Sequence, residues 1–72
     1  MNKKNKIKII VNVKLLMINS NFSVKNLIEK LKTPINKVAI ELNEVIVDKK
    51  KLNKIILKNK DKIEIVHFIG GG

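Results

Sequence analysis

The chain has 72 residues, sixteen of them Lys and none Arg, and its formal net charge is +10. A chain this short forms one small domain with one core, because folding buries only about 60% of its unfolded surface. It contains no cysteine, which excludes a disulfide, a thiolate metal site and a cysteine nucleophile.

A β-hairpin is the first predicted element. Apolar residues occupy the odd positions of residues 7–13, the period-two pattern of a half-buried strand with those positions inward. Residues 14–19 predict the second strand, after a tight turn near Asn12 and Val13. A β-branched residue resists the positive φ of a type I′ turn, so the sequence leaves the type of this turn open.

A helix is predicted next. Ser23 is placed to cap its first turn, and Phe22 precedes the cap where it can pack on Leu27. The dipeptide Thr33-Pro34 should end the helix, because the residue before proline avoids α geometry. An apolar stripe at helical spacing should face a sheet: Val24, Leu27, Ile28 and Leu31.

Two further strands and a charged crossing follow the helix. Residues 37–43 predict the third strand, with alternate apolar residues inward, and residues 44–47 a short fourth strand after a turn at Asn43. Residues 48–51 predict a charged surface crossing. Four apolar residues are expected to anchor this crossing to the core as irregular or short helical structure: Leu52, Ile55, Ile56 and Leu57.

The last predicted strand, residues 62–69, leads directly into three glycines. With Ile63 and Ile65 inward, the intervening side chains point outward and form a predicted docking surface for a partner: Glu64, Val66 and Phe68. Three extended residues reach about 10 Å and, without Cβ atoms, can thread a narrow channel in a partner enzyme. We therefore expect Gly70 and Gly71 to carry the Gly72 carboxyl group into such a channel for activation.

Residues 61–72, Asp-Lys-Ile-Glu-Ile-Val-His-Phe-Ile-Gly-Gly-Gly, closely resemble the carboxyl end of the thiamine-biosynthesis sulfur carrier family (ThiS). The similarity continues upstream through residues 8–12, 23–31 and 38–43. It implies an α+β, ubiquitin-like β-grasp fold: a mixed four- to five-stranded sheet with one main helix across it, and the first and last strands parallel at the centre. Residues 1–72 are then a single domain, with residues 1–6 and 70–72 expected to be flexible.

The resemblance also implies a carrier that is itself not an enzyme. A ThiF-like adenylyltransferase would use ATP to convert the Gly72 carboxylate into an acyl-adenylate. A cysteine desulfurase or other sulfur donor would then supply sulfur to form a thiocarboxylate, which donates it to a thiazole synthase. No bound cofactor and no metal are expected, and the expected compartment is the cytoplasm, or the plastid stroma if an organelle encodes the chain.

The residues themselves offer no self-contained active site. Ser23 is better explained as a helix cap, and the single histidine, His67, is expected to be a half-exposed strand residue rather than a metal ligand. The carboxylates are scattered without metal-loop spacing. The chain is therefore predicted to be a substrate of other enzymes.

Three alternatives stay open from the sequence. The small subunit of molybdopterin synthase and other sulfur carriers would share the chemistry at Gly72, and a protein modifier would form an amide bond there instead. A basic nucleic-acid-binding module is the third, but the chain lacks Arg and interleaved aromatic residues, so no nucleic acid partner is expected. Lys8, Asn12 and Lys14 interrupt the apolar amino-terminal segment, so no membrane partner is expected either.

Overall fold

The computed structural model describes residues 5–68. In chain order its elements are β1 (Lys6–Val11), β2 (Lys14–Asn19), α1 (Val24–Lys30), a first 3-10 helix (Ile35–Lys37), β3 (Val38–Leu42), β4 (Val45–Ile46), a second 3-10 helix (Lys49–Lys54) and β5 (Lys62–His67). The expectations about residues 1–4, about residue 69 and about Gly70, Gly71 and Gly72 lie outside the described residues.

The five strands form one mixed sheet in the order β2-β1-β5-β3-β4. β1 and β5 are parallel at its centre, and the other neighbouring strands are antiparallel. This is the predicted β-grasp arrangement. The prediction of a flexible segment as far as residue 6 is wrong at its end, because β1 includes Lys6 and the Asn5 carbonyl oxygen accepts a hydrogen bond from the Ser20 N–H at 3.0 Å.

The core lies between α1 and one face of the sheet. It is entirely aliphatic, and it consists of Ile9, Ile18, Val24, Leu27, Ile28, Val38, Ile40, Val47, Leu52, Leu57, Ile63 and Ile65. Alternate residues of β1, β3 and β5 enter it, as the period-two pattern predicted. We call this the helix side of the sheet and the other side the open face.

Both hairpin turns have two residues with positive φ. The angles are 48° at Asn12 and 65° at Val13 in the first turn, and 51° at Asn43 and 73° at Glu44 in the second. Positive φ at both central residues defines a type I′ turn, so the open question about the first turn is answered despite the β-branched Val13. The inward position predicted for Val13 is wrong: it lies in the turn beyond the paired strand and is 86% exposed.

Ser23 caps α1 as predicted. Its Oγ accepts a hydrogen bond from the Asn26 backbone N–H at 3.1 Å. The Asn26 side chain returns the contact, because its Oδ1 accepts from the Ser23 N–H at 2.9 Å. This reciprocal capping box was not foreseen, since Asn takes the position more commonly held by Glu or Gln.

The carboxyl end of α1 comes earlier than predicted. The helix ends at Lys30, Leu31 is its cap, and Lys32 has a φ of 56°. The Thr33 N–H then donates to the Ile28 carbonyl oxygen at 3.1 Å, which closes the helix end. Leu31 is exposed because it lies beyond the last helical residue, so its predicted place in the buried stripe is wrong.

The charged crossing is more ordered than a plain loop. Asp48 caps the second 3-10 helix, its Oδ1 accepting from the Lys50 N–H at 2.9 Å. Leu52 and Leu57 are buried and Ile55 is partly buried, as predicted. Ile56 is exposed, contrary to the prediction, because the segment is extended there and alternate side chains point away from the core.

Candidate functional site

Glu64 and Val66 of β5 lie on the open face, as the alternation predicted. Phe68 follows the last residue of β5. Val66 is 52% exposed and Phe68 is 44% exposed, whereas Ile63 and Ile65 are buried. Glu64 is partly buried on the same face as Val66. The outward position of Glu64 and Val66 is thus confirmed and Phe68 is exposed, and the role of these three side chains in docking a partner stays a prediction.

The chain is attached to the sheet up to the last described residue. The antiparallel pairing of β5 with β3 runs to the pair of His67 and Val38. The Phe68 N–H then donates to the Lys37 carbonyl oxygen at 2.8 Å. The sequence has four residues after Phe68, so Gly72 can lie at most about 14 Å from this anchor.

Asn12 holds β5 from the side of β1. Main-chain pairing between these strands includes Val11 with Ile63, and the Asn12 N–H donates to the Ile63 carbonyl oxygen at 3.0 Å. Beyond it, the Asn12 side chain takes the place of a further strand residue. Its Oδ1 accepts from the Ile65 N–H at 2.7 Å, and its Nδ2 donates to the Ile65 carbonyl oxygen at 3.2 Å.

Sequence reasoning assigned Asn12 only to a turn. An asparagine at the first central position of a type I′ turn was the signal available, because asparagine tolerates positive φ and carries both a donor and an acceptor. The sequence alone did not show that the Asn12 side chain would bond to the last strand. The two partners are 53 residues apart along the chain.

Phe68 has a cationic neighbour. The Nζ atom of Lys49 lies 5.3 Å from the centroid of the Phe68 ring. A contact of this kind at an exposed site stabilises by about 0.5–1 kcal/mol. It connects the second 3-10 helix, which Lys49 begins, to the last described residue before the glycine tail.

The open face carries more apolar surface than the docking prediction named. Val66 lies opposite Ala39 of β3. At the β2 edge of the same face, Leu15 and Met17 are 72% and 52% exposed, and they pair with Ile10 and Lys8 of β1. The sequence signal for this surface was that the residues of β2 that alternate with the core-facing ones are apolar rather than polar.

Two carboxylates face each other on the open face. Glu64 lies directly opposite Glu41 of β3, and both are partly buried. Like charges directly opposite across a strand pair oppose folding, by an amount on the order of 0.2–1 kcal/mol. The pair therefore does not stabilise the sheet.

The remaining polar candidates do not converge on a catalytic or metal site. Within residues 5–68 there is no group of three or more His, Cys, Asp or Glu side chains that could hold a metal ion. His67 is exposed at the end of β5, and Ser23 is the helix cap described above. Among the helices that the structure describes, none has the length and apolar character needed to cross a membrane.

The sequence model of the ThiS family matches residues 5–72 of the chain. The chain belongs to this family. A crystal structure titled thiamine biosynthesis protein (ThiS), from Geobacter metallireducens, is similar with a TM-score of 0.81 and 26% identity, covering 92% of this chain and all (100%) of that one. The ubiquitin-like β-grasp fold of the ThiS family is thus the fold of this chain.

Curated relatives match about half of the chain. The sulfur carrier protein ThiS of Bacillus subtilis (strain 168) is 46% identical over 35 residues, which are 49% of this chain and 53% of that protein. A thiazole synthase of Magnetococcus marinus is 47% identical over 36 residues, 50% of this chain but only 11% of that protein. An uncharacterized protein ycf40 of Trieres chinensis is 49% identical over 35 residues, 49% of this chain and 48% of that protein. The matched segments therefore span about half or less of these relatives.

Proposed function

We propose that the chain is a sulfur carrier in thiamine biosynthesis and that Gly72 bears the group that carries sulfur. One observation supports this above the others: β5 is hydrogen-bonded through Phe68, and the ThiS family match continues from there through the terminal glycines. An anchored strand followed by residues without side chains presents a carboxylate at a defined distance from a rigid surface. The proposal takes Gly72 to hold that free carboxylate.

In the proposed reaction the Gly72 carboxylate oxygen attacks the α-phosphorus of ATP on an adenylyltransferase, and pyrophosphate leaves. A sulfur nucleophile then attacks the acyl carbon, and the acyl–oxygen bond to AMP breaks. With a persulfide donor the product is an acyl disulfide, and a second thiol must break its S–S bond to release the thiocarboxylate. The carrier supplies only the acid group and the docking surface, which makes it a co-substrate.

The acceptor of the sulfur is proposed to be a thiazole synthase. A segment that makes up half of this chain matches part of a protein named thiazole synthase. This match supports placing the sulfur carrier and a thiazole synthase in one pathway. The thiocarboxylate sulfur is a soft nucleophile and is suited to attack an electrophilic carbon of a ring under construction. A cysteine desulfurase is the proposed source of the persulfide.

Intact-mass analysis tests the chemistry at Gly72. The purified chain is incubated with ATP, a ThiF-like adenylyltransferase and sulfide, which replaces the persulfide donor and displaces AMP directly. We expect a mass gain equal to the exchange of one oxygen atom for sulfur, located at Gly72 by fragmentation. The control is a chain with one alanine appended after Gly72, which should gain nothing. Sulfur uptake by the extended chain, without prior trimming, would contradict the proposal.

Val66, Phe68 and Glu64 are proposed to form the docking surface for these enzymes. Truncation of Phe68 to alanine removes an exposed aromatic side chain beside the tail and should weaken binding by about 1 kcal/mol, or roughly fivefold. The measurement is calorimetric titration with each partner enzyme. Val45→Ala is the matched control, because Val45 is an exposed apolar residue on the edge strand β4. Equal affinities for Phe68→Ala and Val45→Ala would remove Phe68 from the docking surface.

A further inference from the structure

A groove on the helix side of the sheet has no part in the proposed sulfur chemistry. It lies between α1 and the second 3-10 helix, with a volume of about 470 Å³. Its floor is aliphatic and includes Ile28, Ile35 and Leu52. Ile28 and Leu52 belong to the buried core, and Ile35 packs against it. A volume and an apolar floor of this kind are typical of ligand-binding clefts.

The rim of the groove is strongly basic. Lys25 and Lys32 line it from the α1 side, and Lys49 and Lys50 from the side of the 3-10 helix. All four are exposed. Glu29 is the only carboxylate among the described residues that line the groove. The rim therefore has an excess of positive charge and is complementary to an anion.

The number and placement of the lysines favour an anion with several charges over a compact one. Lys25 lies in the first turn of α1, and Lys32 follows the end of that helix. Lys49 and Lys50 lie on the opposite side of the groove. A single phosphate or carboxylate group leaves most of these four positive charges unpaired, whereas a short segment with several carboxylates can pair with them along the rim.

The floor favours a peptide over a nucleic acid. The described residues that line the groove include no aromatic ring and no arginine. A nucleobase would thus have no ring to stack on, whereas an aliphatic side chain fits a floor of Ile and Leu. We propose that the groove binds an acidic peptide segment of a partner protein, with its carboxylates on the rim lysines and one aliphatic side chain on the floor.

Lys49 connects this groove to the base of the tail. It lines the groove and also places its Nζ atom over the Phe68 ring. A partner with such a segment would contact the carrier on the helix side and beside the tail at once. Two linked contacts give a higher combined affinity than either alone, provided that their geometry allows both.

Fluorescence anisotropy with the full chain tests the groove directly. The probe is a fluorescein-labelled peptide, acetylated Glu-Asp-Leu-Glu-Asp, at about 0.15 M salt, where the Debye length is about 8 Å. The double variant Lys25→Gln/Lys32→Gln removes two rim charges and should weaken binding about fivefold. The control Lys58→Gln/Lys60→Gln removes the same charge from exposed residues outside the groove. Each pair contains one lysine with positive φ, 56° at Lys32 and 75° at Lys60.

A second arm changes the peptide and leaves the protein intact. Replacing the leucine of the peptide by serine should weaken its binding to the unchanged protein. In NMR spectra, the methyl shifts caused by the leucine peptide should concentrate at Ile28, Ile35 and Leu52. Equal losses from the two lysine pairs, absent binding, or shifts spread over the surface would overturn the proposal. Displacement of the peptide by a single-stranded DNA oligonucleotide of equal charge, at lower concentration, would also overturn it in favour of nucleic acid. The readout is peptide binding, so it is independent of whether Gly72 carries sulfur.

Discussion

Replacement of Asn12 by glycine tests how β5 is held. Glycine adopts the φ of 48° at this position without strain, so the turn is kept and only the side-chain contacts are lost. Two hydrogen bonds to Ile65, both partly buried, disappear. At about 1 kcal/mol for each such bond, we expect the free energy of unfolding to fall by about 2 kcal/mol.

Asn43→Gly is the matched control. Asn43 holds the same position in the second type I′ turn, with a φ of 51°. It also makes two side-chain hydrogen bonds, one from the Lys62 N–H at 2.9 Å and one to Asp61 Oδ1 at 3.0 Å, but both are exposed. Water replaces exposed bonds more readily, so its loss should be nearer 1 kcal/mol. The added backbone entropy of glycine in the unfolded chain is the same for both variants.

Urea denaturation followed by circular dichroism measures the difference. In thermal unfolding the expected losses correspond to about 8–16 °C for Asn12→Gly and about 4–8 °C for Asn43→Gly, given a domain of this size. Hydrogen exchange adds a local readout, because the Ile65 amide should lose protection only in Asn12→Gly. If Asn43→Gly costs as much as Asn12→Gly, or if Ile65 keeps its protection, the assigned role of Asn12 is refuted.

Two further changes should stabilise the fold. Val13→Gly removes a β-branched residue from a φ of 65°, where a residue with a Cβ atom costs about 1–2 kcal/mol. Because glycine also raises the entropy of the unfolded chain, we expect the free energy of unfolding, measured by urea denaturation, to rise by only about 0.5–1 kcal/mol. A fall in that free energy would contradict the strain argument. Glu64→Gln relieves repulsion from Glu41 and should raise stability by about 0.2–1 kcal/mol while weakening partner binding in calorimetry. Glu44→Gln is its control, an exposed carboxylate 3.8 Å from the Lys62 Nζ atom, and it should not raise stability. If Glu64→Gln is more stable but binds its partners with the same affinity as the unchanged chain, Glu64 does not belong to the docking surface.

The order of elements and the faces of the strands were predictable because they depend on local pattern. Period-two alternation in residues 62–67 placed Ile63 inward and Val66 outward, and the structure agrees. Errors arose where an element ended. Leu31 fits the apolar spacing of α1, but the helix stops one residue earlier, and periodicity contains no information about where a helix stops.

The contacts around the tail were not predictable, because they join residues far apart along the chain. Asn12 meets Ile65 only after β1 and β5 are parallel neighbours. Lys49 reaches Phe68 only because the charged crossing folds as a 3-10 helix beside the end of β5. A lysine run read from sequence is a solvated loop by default, and nothing local distinguishes Lys49 from Lys50 or Lys51.

The support of β5 changes along its length, and this bears on how the tail is presented. Main-chain pairing with β1 ends at Ile63, and the Asn12 side chain extends the contact to Ile65. From Val66 onward, β5 pairs with β3 up to His67, and the Phe68 N–H donates to the carbonyl oxygen of Lys37, the last residue of the first 3-10 helix. The base of the tail is thus fixed to the sheet from the β3 side, while Val66 and Phe68 remain exposed. A partner can therefore approach these two side chains and the tail together without breaking the hydrogen bonds that anchor them.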